Sequence, residues 1–185
     1  MIGFRDNLLS VLCFAFFGFV APLFVTVGVA RGVGRGSRAR WNVYQNKDFH
    51  FRFLVPEGWR VNDQRTYPSV PVNLRSPEGS NVSMSIKVMP SRITLTAFAR
   101  REVQVLKELG FPVSSLKKTR VGKEEALYVS GKHPRREVGY RLFFLQQGRV
   151  GYVLTFTFPI EKAEDEGRLF ELILKTFTFT NKGEK

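Results

Sequence analysis

The chain has 185 residues, 43% hydrophobic and 24% charged, the balance of a folded protein and too apolar for a disordered one. With 29 Lys and Arg against 16 Asp and Glu it carries a formal charge of +13, and its one cysteine excludes an internal disulfide framework and any multi-cysteine zinc or iron–sulfur site. The charge is divided. Five Arg and one Asp leave +4 on residues 1–40, +9 falls on residues 41–185, and residues 8–30 carry none. This pattern predicts a signal peptide or transmembrane anchor over residues 1–30, a basic Gly/Arg linker over 31–40 and one folded domain over 41–185. A domain of that length buries about 70% of the surface its unfolded chain would expose and needs no covalent staples.

The uncharged run LLSVLCFAFFGFVAPLFVTVGVA spans 23 residues. At about 1.5 Å per helical residue it can cross a hydrocarbon core of roughly 30 Å, so one N-terminal hydrophobic helix is expected. Its length favours a retained anchor. The short region holding Arg5 before it and the small residues Gly28-Val29-Ala30 at its end fit a cleaved signal instead, while Asp6, which partly cancels Arg5, counts against one. Pro22 is compatible with either reading. Arg31, Arg35, Arg38 and Arg40 follow the run. By a strict positive-inside count they would keep the domain in the cytoplasm, and they also suit anionic lipid headgroups at about 1 kcal/mol per cation. Gly32, Gly34 and Gly36 superficially match a phosphate-binding loop, but Ser37 stands where the third glycine belongs and no strand precedes them. An RNA-binding Arg-Gly tail would need aromatics to stack on bases, and this segment has none. Cys13 follows Ser10-Val11-Leu12, whose bulky end is unlike a lipidation signal, and reads as a packing residue.

Beyond Trp41 the apolar residues alternate, which is the strand pattern. Phe49, Phe51, Phe53 and Val55 predict one strand, ended by Pro56-Glu57-Gly58. Val70, Val72 and Leu74 form a second, joined through a turn at residues 76–81 to Val82, Met84, Ile86 and Val88. Residues 94–109 change to helical spacing, with Thr94 as cap, Leu95, Phe98, Ala99, Leu106 and Leu109 on one side, and Gly110 just past the end. Arg100, Arg101, Glu102, Lys107 and Glu108 are assigned to its polar face. Strands follow over 113–120, 126–131, 137–146 and 149–158, the last two paired through a tight turn at Gln147-Gly148. A second helix is predicted over 161–175, its acidic start and Lys175 matching the helix dipole, before a short closing strand Phe177-Thr-Phe179. The order argues an α+β domain with a mainly antiparallel sheet and helices covering its faces.

Three stretches carry a family resemblance. Tyr44-Gln-Asn-Lys-Asp-Phe-His-Phe-Arg-Phe-Leu-Val-Pro-Glu-Gly-Trp59 resembles the entry of PsbP-like domains, where an aromatic strand runs into a Pro-x-Gly/Asn-Trp turn. Gly151-Tyr-Val-Leu-Thr-Phe-Thr-Phe-Pro159, the acidic helix and Leu174-Lys-Thr-Phe-Thr-Phe179 resemble that family's close, with Thr178 where a Ser is often found. Ile93-Thr94-Leu95-Thr96-Ala97-Phe98 is similar to the entry of its first helix. The resemblance spans residues 44–179 and implies the α/β/α sandwich shared by PsbP-like proteins, the Ran-binding Mog proteins and small bacterial envelope proteins. It further implies a non-catalytic accessory or assembly role on a membrane complex, in the first group photosystem II, with the domain in the periplasm, at the cell surface or in the thylakoid lumen.

Few constellations suit chemistry. His50 and His133 have no companion ligand at metal spacing. Ser114/Lys117 and Ser115/Lys118 match the short serine–lysine motif of penicillin-binding enzymes, without its Ser-Asp-Asn or Lys-Thr-Gly partners. They define the alternative of a serine hydrolase. Glu161, Glu164, Asp165 and Glu166 lack the spacing of a calcium loop. Asn81-Val82-Ser83 fits a glycosylation acceptor only on a eukaryotic secretory route. The remaining feature is basic: Lys117, Lys118, Arg120 and Lys123 in one group, Lys132, His133, Arg135 and Arg136 in a second. They serve either as solvated charge that aids solubility or as a binding surface, in which case they are expected to meet an acidic protein surface or anionic headgroups, with no cofactor and no small-molecule substrate. Nucleic acid is the third reading, disfavoured because the aromatics keep core spacing.

Overall fold

A computed structural model describes residues 40–62, 72–89 and 93–180. The expected N-terminal helix with Cys13, and Arg31, Arg35, Arg38 and Val70, lie outside the described residues. Among the described residues no helix is long and apolar enough to cross a membrane.

Alternation of apolar and polar side chains is converted into two antiparallel sheets. In chain order the elements are β1 (Trp41–Asn46), β2 (Phe51–Pro56), β3 (Arg60–Asn62), β4 (Val72–Arg75), β5 (Asn81–Val88) and α1 (Leu95–Glu108). Then come β6 (Lys117–Val121), β7 (Glu124–Lys132), β8 (Val138–Gln147), β9 (Val150–Pro159), a 3-10 turn (Ile160–Lys162), α2 (Ala163–Thr176) and β10 (Thr178–Phe179). The large sheet has the order β3-β4-β5-β9-β8-β7-β6, and the small one β1-β2-β10. Long antiparallel ladders make the centre of the large sheet: β8 and β9 pair as a hairpin from Val138↔Pro159 to Gln147↔Val150, and β9 pairs β5 from Asn81↔Thr157 to Val88↔Val150. The turn between β8 and β9 is Gly148-Arg149, where Gly148 takes φ +59°, the left-handed region that glycine enters without a steric cost.

Each face of the large sheet buries its own core. On one face Val82, Met84, Ile86, Phe143, Leu145, Tyr152, Leu154 and Phe156 meet the small sheet and α2. Phe51, Phe53 and Phe177 stack there with centroids 5.9–6.4 Å apart, and Phe156 lies 4.3 Å from Phe170 of α2. Trp59, in the turn after β2, packs edge-on against Phe170. On the other face Leu127, Val129, Leu142, Phe144 and Val153 meet Phe98, Ala99 and Leu106 of α1. Phe98 sits over Gly151, where a Cβ would come within 2.6 Å of its ring. Burying the Phe98 side chain contributes about 2–3 kcal/mol.

The expected α+β sandwich with antiparallel sheet is therefore the observed one, α1 forming one outer layer and α2 with the small sheet the other. The cap holds too, with Thr94 Oγ1 accepting from the Ala97 N–H at 3.2 Å. The aromatic strand at 51–56 and the closing Thr178–Phe179 pair with each other in the small sheet instead of extending the large one. The 113–120 strand begins only at Lys117, and the helix expected at 161 starts as a 3-10 turn. β1 and β3 were not foreseen. β3 is exposed at all three positions, so it has no alternation to read. Glu102 belongs to the buried stripe of α1, not to its polar face, and its carboxylate meets Lys87 Nζ at 2.6 Å. Leu109 is 38% exposed.

Candidate functional site

The two basic groups of the sequence lie along one margin of the molecule. β6 is the last strand of the large sheet, and it presents Lys117, Lys118 and Arg120 to solvent. Gly122-Lys123 turns the chain into β7, with Lys123 exposed. Gly122 is fixed by its N–H donating to Leu174 O at 2.7 Å, its φ of +58°, and the Phe177 carbonyl only 1.9 Å from where a Cβ would stand. This anchors the hairpin on the end of α2. β7 then runs nine residues, about 30 Å at 3.3 Å each, to Lys132 and the loop with Arg135 and Arg136. The register sets Lys117 against Tyr128, four residues short of Lys132, so the two groups lie on the same side of the sheet about 13 Å apart along β7.

That loop is ordered by its own backbone. The His133 N–H donates to Val138 O and the Val138 N–H to Arg136 O, each at 2.8 Å. The Arg135 N–H donates to His133 Nδ1 at 3.0 Å, which requires that nitrogen to be unprotonated. Burial, then Arg136 and Arg135, push the His133 pKa below its ordinary value, in agreement with that bond. Phe111 packs edge-on to His133 and Tyr140, while the Tyr140 hydroxyl donates to Pro112 O and burial pushes its pKa up to about 12. The loop thus rests on an aromatic base. Along the whole margin seven Lys and Arg oppose Glu124, Glu125 and Glu137. Among the described residues none of Lys117, Lys118, Arg120 or Lys123 stands in a salt bridge.

The other sequence candidates do not converge. Ser114 Oγ accepts from the Ser130 N–H at 3.0 Å and donates to Ser115 O at 3.2 Å, so its hydroxyl closes a backbone junction between the entry to β6 and β7. Lys117 and Lys118 are exposed strand residues, and no helical turn joins either of them to its serine. His50 lies in the β1–β2 turn at φ +53°, rather than on a strand surface, and His133 lies in the β7–β8 loop. Among the described residues no group of three His, Cys, Asp or Glu could hold a metal. Arg40 is exposed just before β1.

Two buried charges escaped the sequence reading. Besides Glu102, Glu166 is 3% exposed in the first turn of α2, where it was expected to serve the dipole from the surface. Burial raises its pKa, with the Ser80 and Ser76 hydroxyls pulling the other way. Outside it Lys162 pairs with Glu78 at 3.2 Å. That pair links the 3-10 turn before α2 to the β4–β5 turn. The signal was present in the spacing: Glu102 lies between Phe98 and Leu106, and Glu166 four residues before Phe170, both on apolar stripes.

No protein-family model matches this sequence, and no curated protein matches it. Solved structures match its fold. The solution structure of cyanobacterial PsbP (CyanoP) from Synechocystis sp. PCC 6803 superposes with a TM-score of 0.60 at 15% identity, covering 82% of this chain and 98% of that one. A crystal structure from Bacteroides thetaiotaomicron gives 0.53 at 16% identity, over 77% of this chain and 50% of the other. LpqN of Mycobacterium tuberculosis, described as involved in cell envelope biogenesis, gives 0.46 at 14%, over 80% and 89%. The fold is PsbP-like, as the aromatic entry and closing strand implied.

Proposed function

We propose that this protein is a non-catalytic, membrane-associated accessory module that docks through its basic margin on an acidic surface of a membrane protein complex. One observation carries the reading: the β6 edge and its flanking turn present Lys117, Lys118, Arg120 and Lys123 on a rigid sheet, exposed and in no salt bridge among the described residues. A charge set fixed on a scaffold steers and orients a partner at little entropic cost. The PsbP-like fold supports the accessory role that the family resemblance implies, and the uncharged run at residues 8–30 supports membrane association. The bonds that Ser114 makes to backbone groups favour docking over serine chemistry. The domain belongs on the extracytoplasmic side, with residues 8–30 holding it near the bilayer and Arg31, Arg35, Arg38 and Arg40 against anionic headgroups.

The experiment compares the full chain with a Lys117→Glu/Lys118→Glu/Arg120→Glu variant in its own membranes, using a lysine-independent photocrosslinker and gentle solubilisation. The wild type is expected to enter a complex of defined mass, and the variant to remain monomeric with an unchanged thermal midpoint. A wild type that stays unpartnered, or a variant that assembles equally well, overturns the reading. Protease access with the outer layers opened and the cytoplasmic membrane still sealed tests the side of the membrane: the domain should be degraded there while a cytoplasmic marker is spared, and its survival until that membrane is broken overturns the placement.

A further inference from the structure

The register of β6 fixes which of its backbone groups face outward. Val121 and Glu124 oppose each other across the two-residue Gly122-Lys123 turn. The pair that closes such a turn exchanges both backbone hydrogen bonds, and bonded and non-bonded pairs alternate from there. Val121, Thr119 and Lys117 therefore bond to β7, while the amides and carbonyls of Lys118 and Arg120 point away from the sheet. No described residue pairs with these outward groups. The side chains of Lys118 and Arg120, two residues apart, share one face, opposite Leu127 and Glu125, whereas Lys117 lies on the other.

From this arrangement we infer that β6 accepts an extended acidic segment of a partner protein as an eighth strand of the large sheet. The inference rests on the docking reading above and specifies its mode. The incoming chain bonds to the backbone of Lys118 and Arg120, and carboxylates at alternate positions on one of its faces meet their side chains. Main-chain bonds supply affinity and the charges supply selection, as in other strand-addition complexes. Lysines on an edge are also a device against aggregation, because they repel a second edge of the same kind. That property sharpens the choice of partner: two β6 edges repel each other, whereas an acidic strand is attracted. The remaining edges suit this role less, since β3 has three residues, β10 two, and β1 no charged residue.

The test uses the full chain in detergent micelles and a short synthetic peptide alternating Glu and Val, with an N-methylated copy of identical charge that cannot pair with a strand. The alternating peptide should bind at least about tenfold more tightly than the N-methylated one, a difference of about 1.4 kcal/mol. On binding, amide exchange at Lys118 and Arg120 should slow, while Lys117 and Thr119, already bonded to β7, stay as they were. Lys118→Ala keeps the outward N–H and Lys118→Pro removes it without touching a β7 bond, so proline should weaken binding about tenfold beyond alanine. If the proline variant fails to fold, amide exchange on the wild type decides.

Equal binding of the two peptides, or no slowing at Lys118 and Arg120, overturns strand addition. If equal binding is also abolished by salt, docking by charge alone survives. If neither peptide binds, strand addition falls, and the charge-reversal experiment in membranes decides separately whether docking falls with it.

Discussion

The Lys87–Glu102 pair ties α1 to β5, and its energetics follow from how deeply each partner is buried. The atoms are 2.6 Å apart, and the side chains are 16% and 5% exposed. Glu102→Leu leaves the Lys87 ammonium without its partner, but that side chain regains water by swinging outward. The cost should lie at the lower end of the range for breaking a buried pair, about 3 kcal/mol. Lys87→Met strands the more deeply buried carboxylate and should cost at least as much. The double variant replaces both charges by apolar groups of similar size, and such replacements are close to neutral. Urea unfolding of the full chain, followed by tryptophan fluorescence, reports this directly because Trp59 packs against Phe170 in the core. With a slope of about 2 kcal/mol per molar, each single change should lower the midpoint by about 1.5 M. The double change should cost less than the sum by at least about 2 kcal/mol. Additivity within about 0.5 kcal/mol would refute the view that this pair fastens the helix to the sheet.

Three further outcomes follow from the same contacts. Because burial raises the Glu166 pKa above 4.5, the native state holds more protons than the unfolded one between those values, and stability falls as pH rises through the folded pKa. Glu166→Gln should remove that slope in a pH series of urea midpoints, and an unchanged slope would contradict the assignment. Gly122→Ala places a Cβ 1.9 Å from the Phe177 carbonyl and should cost about 3 kcal/mol or more, whereas Gly110→Ala, at φ +80° with nothing within 4 Å, should cost about 1 kcal/mol. Equal midpoints for the two would show that the hairpin is not seated on α2 as described. His133 should titrate below 6.5 by NMR, and Arg136→Gln should raise it, since that guanidinium is among the causes of the shift. A value above 6.5 would contradict the effect assigned to burial and the two guanidinium groups.

Much of the fold is legible in the chain because period-two patterning is strong wherever one strand faces two different cores. β9 shows this best: Tyr152, Leu154, Phe156 and Phe158 fall on one face and Val153 on the other, and the sequence displays the alternation directly. Strand partners are a different matter. Nothing in Phe51, Phe53 or Phe179 says that they leave the large sheet, because an aromatic face packs equally well in either sheet, and the choice is settled by Phe177 and α2 beneath them. Charges on apolar stripes were misread for a related reason. Residue type suggests solvent for Glu102 and Glu166, while their spacing places them inside, where Lys87 pairs with Glu102 and the burial of Glu166 raises its pKa. The basic residues of the margin were visible as two groups. Their placement along one margin was not, since it depends on β6 lying at the sheet edge, a fact of topology that no local pattern encodes.

The central claim is that this edge is where the protein meets its partner. Site-specific photocrosslinking from position 118 in intact membranes, with Val43 on β1 as the control position at 67% exposure, tests it most directly. One defined protein adduct is expected from position 118, lost in high salt as exposed charges are screened, and none from position 43. Adducts of equal yield from both positions, or an adduct from 43 alone, would contradict it.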